Sequence, residues 1–447
     1  MWTGDRVRIR AMSHWILGAG VSGLAAGVAT GFDVLEAAER PGGICSSYYI
    51  RPGTAERLAA MPAARDAYRF ELGGGHWIFG GDPAVLRMLE TLARHQPYRR
   101  RSGVYFAGTA SSVPYPLQNH LRDLSPEVAV QALSHMAQSA GLAPVRTMKE
   151  WLLARFGEAL CDLFFFPFNE RYTATLYDRI APQDDYKTPI SLSSVIRGAL
   201  SQTEPAGYNA TFLYPEEGLD VLAARLAARC RVRYGCEVQR IDTRARELVL
   251  RDGRVLPYRG VLSTLPLNRV VELAGLSLAS PPDPYTSVLV LNIGALRGPR
   301  CPGDHWVYVP DAASGFHRVG FYSNVDRAFV PALPGGPPDR ISIYVEKAYP
   351  GGLRPDAPAI RAYSAEVVRE LQQWGFIEGV EVVDPTWIDV AYTWRWPGSS
   401  WVREATTRLT EQGIYTVGRY GRWVFQGIAD SVRDGLFVGA ALKNALG

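Results

Sequence analysis

The sequence predicts an α/β protein: a discontinuous Rossmann-type nucleotide-binding domain carrying an inserted helical domain and an inserted antiparallel β-sheet domain. Three observations predict it. The chain opens on a strand, a glycine turn, a helix and a second strand. Segments with helical spacing of apolar residues follow in its first half, and segments alternating at period two in its second half. A last buried strand and a last helix then return the chain to the opening domain.

The opening unit is the most informative part. His14 to Leu17 is a short apolar strand, Gly18 allows a sharp turn, and Gly20 lets the backbone approach a pyrophosphate. Gly23 lets the helix Val21 to Thr30 pack closely on the strand. The free N–H groups of that helix, at Val21 and Ser22, and its positive dipole end face the phosphates. The next strand, Phe32 to Leu35, ends at Glu36, placed to accept hydrogen bonds from ribose hydroxyls. A glycine triplet alone is a weak signal; the preceding strand, the following helix and the acid supply the required context. With Arg40, Gly42 and Gly43, the segment resembles that of the amine-oxidase-like flavoproteins, which implies FAD, with the second glycine pair carrying the chain past its diphosphate.

Further along, Tyr49 to Arg69 is rich in Ala and Arg and predicts an insertion with one surface helix. Asp82 reads as an N-cap before Pro83, opening a helix to His95. Ser125 to Ala140, Thr147 to Phe156 and Glu158 to Phe166 have helical periodicity; the apolar run Leu160 to Phe168 reads as core. Val232 to Tyr234, Glu237 to Ile241, Glu247 to Leu250 and Gly260 to Leu265 read as short strands. Ser287 to Ile293, Asp304 to Val309, His317 to Tyr322 and Ile341 to Ala348 alternate, as strands with one buried face do. Ile414 to Val417 is a buried strand stopping at Gly418, and Asp430 to Asn444 a final helix. The expected division is residues 12–82, 212–275 and 405–447 for the FAD-binding domain. Residues 83–98 and 120–190 form the helical domain, and residues 99–119, 191–211 and 276–404 the sheet domain.

Composition narrows the function. A chain of 447 residues with net charge +4 carries too little excess charge to suggest a nucleic-acid partner. Basic residues are almost all arginine, with lysine only at 149, 187, 347 and 443. Five cysteines without metal-ligand spacing fit a reducing cytoplasm and argue against both a disulfide framework and a metal site. No apolar run reaches the roughly 18 residues of a membrane helix. The polar, Arg-rich stretch Met1 to Ala11 is unlike a signal peptide and reads as a leader before Met12.

Seven blocks together resemble the UDP-galactopyranose mutases, especially the eukaryotic type. They are Gly74-Gly75-His76-Trp77-Ile78-Phe79, Val113-Pro114-Tyr115-Pro116-Leu117-Gln118-Asn119, Phe166-Pro167-Phe168-Asn169, Asn209-Ala210-Thr211-Phe212, Trp306-Val307-Tyr308, Arg318 with Ser323-Asn324, and Gly418-Arg419-Tyr420-Gly421. They keep the family's order from about Trp15 to Leu446. The resemblance implies an unusual chemistry: N5 of reduced flavin attacks the anomeric carbon of a sugar nucleotide, and the resulting covalent adduct lets the sugar ring open and reclose without net redox. It implies catalytic roles for His76, Asn169, Arg318 and Arg419, with Gly75 and Arg419 also beside the flavin as cofactor-binding residues. Tyr115, Gln118, Asn209, Trp306 and Tyr308 would line the substrate side. On the cofactor side it implies Val238, Gly418, and Asp430 and Ser431 at the start of the last helix.

The sequence also departs from that family. Three positions expected to carry tyrosine hydroxyls hold Val325, Trp396 and Phe425, leaving the last two as aromatic candidates for substrate contact. An expected arginine after Asn169 is absent; Lys187 is the nearby cation, a point charge rather than a planar fork. Losing contacts worth roughly 1–3 kcal/mol each predicts that ordinary nucleoside diphosphate sugars bind poorly. The expected substrate is a smaller or less anionic sugar-like molecule, or a specialised metabolite. Trp394, Trp396, Trp401 and Trp423 read equally as substrate wall or as packing, Arg318 as anion grip or structural ion pair, and Cys45 as a small buried residue. Asp184 and Asp185 read as a solvated turn. The alternative to a mutase-like isomerase is an FAD-dependent oxidase or dehydrogenase; a weaker one is a flavin-binding scaffold without chemistry. There is no second dinucleotide fingerprint, so NAD(P)H, if it is the reductant, must visit the active site transiently.

Overall fold

A computed structural model describes residues 13–139, 145–183, 191–204, 207, 209–332 and 339–446. The leader, Asp184, Asp185 and Lys187 lie outside the described residues.

The opening strand Ser13–Leu17 lies between two parallel neighbours, Asp33–Leu35 and Val255–Ser263. Arg231–Arg233 extends the parallel set on one side. Ile414–Thr416 pairs in parallel with the end of Val255–Ser263, and Val238–Asp242 and Glu247–Leu250 form an antiparallel meander leading into that strand. The central strand reaches complete burial at Ile16 because helices cover it. The helix Val21–Thr30 lies against the final helix Ile428–Leu446. Their close approach depends on Gly435 and Gly439, where a Cβ would come within 2.2 Å of the Ser22 carbonyl oxygen and 3.1 Å of Ala29 Cβ.

The second sheet is antiparallel except for one pair, Trp306–Tyr308 beside Ser102–Phe106. Tyr285–Arg297 pairs along its length with Arg340–Pro350 on one side and with the 17-residue edge strand Ile377–Thr393 on the other. The helix Ala357–Gln373 covers one face through Ile360, Val367 and Leu371. Neither this helix nor the longest strand follows from the sequence reading. Ile377–Thr393 carries Pro385 and four acids and lacks a clean alternation, so its pairing with the apolar Tyr285–Arg297 overrides local pattern.

Helical periodicity gives Pro126–Ser139 and Met148–Leu160, the latter opened by a reciprocal Thr147–Glu150 capping box. Gly157 breaks it at φ 70°, between the two expected helical segments. A five-residue π-helix, Cys161–Phe165, then leads into Phe166–Tyr172. Asp82 caps the helix Pro83–Leu92 through Ala84 N–H, but His95 starts a strand, His95–Arg99, paired with Thr211–Pro215. The surface helix expected in 49–69 is absent. The segment is a loop between the paired strands Ser47–Ile50 and Tyr68–Glu71, tied by the Tyr49–Leu58 bridge.

A candidate flavin and substrate cavity

A cavity of about 500 Å³ opens where the glycine turn, the helical segments and the second sheet converge. One part of its wall is Gly18, Gly20, Val21, Ser22, Glu36 and Gly43. Gly18 sits at φ +94°, and a Cβ there would lie 2.4 Å from Thr264 Oγ1. A Cβ on Gly23 would lie 1.9 Å from the Gly18 carbonyl oxygen, so Gly23 sets the helix–strand packing from behind the wall. Gly20 differs: a Cβ would meet no protein atom within 4 Å. That open space adjoins a helix start that no side chain caps. The Glu36 carboxylate is fixed by Ala19 N–H at 2.6 Å and Ala38 N–H at 2.9 Å. These residues fit a dinucleotide: room over the turn, uncapped donors for phosphate, and an oriented acid.

The other part of the wall carries side chains from distant elements. Arg318 and Glu346 are direct cross-strand partners, and Arg318 donates from Nε (2.9 Å) and Nη2 to Glu346 Oε2. Burial pushes the Glu346 carboxyl up, but Arg318 and His317 more than reverse this and hold it down to about 2. Burial lowers Arg318 in turn, and Glu346 overrides it, raising its pKa well above the ordinary value. Arg318 is therefore both things the sequence allowed, an ion-pair residue and a cation in the cavity wall. His317 Nε2 lies 3.5 Å from the same carboxylate oxygen, and burial keeps its pKa low.

His76 lines the wall, and burial, aided by Arg419, pulls its pKa down to about 4, so the ring is neutral at pH 7. Arg419 donates to the Ala391 (3.0 Å) and Gln426 (3.3 Å) carbonyls and lies 4.6 Å from the Phe425 ring centroid. The Asn169 amide donates to the Phe165 carbonyl at 2.7 Å, and Arg100 donates to Asn209 Oδ1. The rings of Tyr115 and Tyr308 lie 4.8 Å apart. Asn169, Asn209, Tyr115, Tyr308, Phe425, Gly75, Gly418 and Ser431 all line the cavity.

Other expected site residues lie elsewhere. Trp306 is 2% exposed, packed among Phe79, Phe212 and His305. Trp396 points its indole N–H at the Pro282 carbonyl, 3.1 Å away. Gln118 is wholly buried behind the wall. Val238 belongs to a core cluster in the meander, and Arg40 is exposed and reaches the Ala59 carbonyl at 3.3 Å. Asp430 accepts from Gly427 N–H at 3.3 Å, next to the wall rather than in it. Of the tryptophan cluster, Trp394 lines the cavity, whereas Trp401 and Trp423 pack on each other.

His317, Glu346, Trp151, Phe164, Phe165, Tyr172 and Tyr392 line the cavity without having been singled out from sequence as site residues. Glu346 had a visible signal, a lone acid in an otherwise largely apolar period-two strand. Trp151, Phe164, Phe165 and Tyr172 had none, since their spacing is that of ordinary helical core, and Tyr392 lies on the strand without clean alternation.

A sequence model of the flavin-containing amine oxidoreductases matches residues 21–288, more than half of the chain, and the chain belongs to that family. Membership implies FAD as the cofactor, in agreement with the cradle described above. The fold is similar to that of a reduced UDP-galactopyranose mutase, at TM-score 0.82 and 20% identity over 97% of this chain and 96% of that one. It is also similar to putrescine oxidase bound to putrescine (TM-score 0.56, 15% identity, 96% and 98% coverage). A third similarity is to a fatty acid isomerase from P. acnes that produces CLA (TM-score 0.55, 14% identity, 96% and 98% coverage). No helix among the described residues is long and apolar enough to cross a membrane.

Proposed function

We propose that the protein is a mutase-like flavoenzyme that rearranges a sugar-like anionic substrate without net redox. The observation that carries this reading is the Arg318–Glu346 pair in the cavity wall. Glu346 engages Nε and Nη2, and among the described residues no acceptor engages Nη1, while a fifth of the arginine side-chain surface stays accessible. An arginine so oriented grips one anionic group without reorganising. Asn169, Asn209, Tyr115 and Tyr308 in the same wall suit a polyhydroxylated body. Bound FAD would supply, in its reduced state, the nucleophile for the rearrangement. The chain's own residues would bind the anion, orient the sugar, exclude water and hold His76 neutral.

The second reading, an FAD-dependent oxidoreductase, is favoured by Phe425 and the other aromatic rings of the wall. Anaerobic spectra separate the two. Oxidised enzyme mixed with pooled sugar phosphates, sugar nucleotides and glycosides should keep its flavin absorbance on the mutase-like reading. Bleaching by any member of the pool would favour the oxidoreductase.

A further inference from the structure

The helical region contributes a continuous apolar surface to the cavity: Met148, Trp151 and Leu152 from one helix, and Phe164 and Phe165 from the π-helix. The π-turn is what delivers both phenylalanines together. Phe165 stacks on the buried Phe156 at 3.8 Å, which supports the shelf from behind, and Phe164 stacks at 5.3 Å on Phe168, itself in the cavity wall. π-Turns inside helices concentrate at functional sites. The two asparagine amides of the wall are each half committed, Asn169 Nδ2 to the Phe165 carbonyl and Asn209 Oδ1 to Arg100, which leaves one acceptor (Asn169 Oδ1) and one amide donor group (Asn209 Nδ2) for the hydroxyls of a sugar-like body. The shelf's own lining is apolar, with the Trp151 indole N–H its one side-chain polar group, so a nucleobase seated here would leave part of its polar edge unmatched, at a cost. An aryl or branched alkyl group would not.

We propose that the substrate carries an apolar group, aryl in the simplest case, that seats on this shelf while its sugar-like part faces Arg318. The proposal deepens the functional reading above and rests on it for the location of the substrate.

The test uses FAD-loaded, oxidised enzyme and calorimetric titration with phenyl β-galactoside 6-phosphate, methyl β-galactoside 6-phosphate and UDP, so that every ligand offers Arg318 an anion. The phenyl glycoside should bind about 10-fold or more tightly than the methyl glycoside, and more tightly than UDP. Trp151→Ser should reduce the phenyl-to-methyl ratio to within about 3-fold. The wild-type ratio is decisive even where the variant fails to fold. Equal affinities, no binding of either glycoside, or tighter binding of UDP would overturn the proposal. Because oxidised enzyme does no mutase chemistry, these outcomes are independent of that reading. A preferred phenyl group with no rearrangement by reduced enzyme would leave the shelf standing and remove the mutase-like function.

Discussion

The two parts of the cavity wall are built in opposite ways. The dinucleotide cradle is local: the Gly18 to Gly23 turn and Glu36 fall within one strand–helix–strand unit, and its key contacts are backbone. The substrate part is assembled from far apart, with Arg318, Glu346 and Tyr392 on three strands and Trp151 and Phe164 on the helical insertion. Local construction leaves a signature in sequence spacing, whereas long-range construction leaves one only where a residue is out of place for its element.

The largest expected effect breaks the cradle. Gly18→Val places a branched side chain at φ +94° and against Thr264, and should yield flavin-free protein with a lowered melting temperature. Gly20→Ala sharpens the test, since protein atoms leave room for its methyl group. The apoprotein should melt as wild type does while FAD affinity falls, by equilibrium dialysis, at least about 10-fold. Unchanged affinity would remove the diphosphate from that space.

Next is the long-range pair. Glu346→Gln leaves the Arg318 guanidinium without its counter-charge and should cost about 3 kcal/mol in denaturant unfolding. The pH dependence follows from the depressed carboxyl. Its folded pKa is about 2 against the ordinary 4.5, so its stabilisation is complete above 4.5 and is lost as pH falls towards 2. The variant should lack that acid-side loss.

His76 acts at milder pH. Its folded pKa is about 4 against the ordinary 6.5, so the unfolded chain binds more protons between those values and stability falls as pH drops through that window. His76→Gln should flatten the melting temperature over the same range. A profile as steep as wild type would mean that His76 is not held neutral, or that other buried histidines such as His305 dominate.

The smallest effect belongs to a residue the sequence placed in the site and the structure places outside it. Trp396→Phe loses one hydrogen bond to the Pro282 carbonyl and should cost no more than about 1 kcal/mol, with ligand affinity unchanged. A large change in affinity would return Trp396 to the wall.

How much was legible follows the same division. The glycine turn, Glu36, the Asp82 cap and the alternating strands were readable because each depends on neighbours within a few residues. Arg318, His76 and Asn169 were readable only through resemblance, and they do meet in the cavity. Trp306 and Val238 were misplaced because a residue's side of a packed strand depends on tertiary pairing, which a block of matching letters does not carry. The run Leu160 to Phe168 read as core, and part of it is core, yet the π-turn directs Phe164 and Phe165 to the cavity. A local change of helical pitch has no periodicity signal in five residues.

The most direct test of the central claim, that the cavity rearranges a sugar-like substrate without net redox, is a trapping experiment. Anaerobically reduced enzyme is incubated with pooled sugar phosphates, sugar nucleotides and aryl glycosides, treated with cyanoborohydride, and its released flavin weighed by mass spectrometry. The account predicts flavin heavier by one sugar unit, formed only from reduced enzyme. Unmodified flavin from the reduced enzyme, together with bleaching of the oxidised enzyme by a member of the same pool, would contradict it.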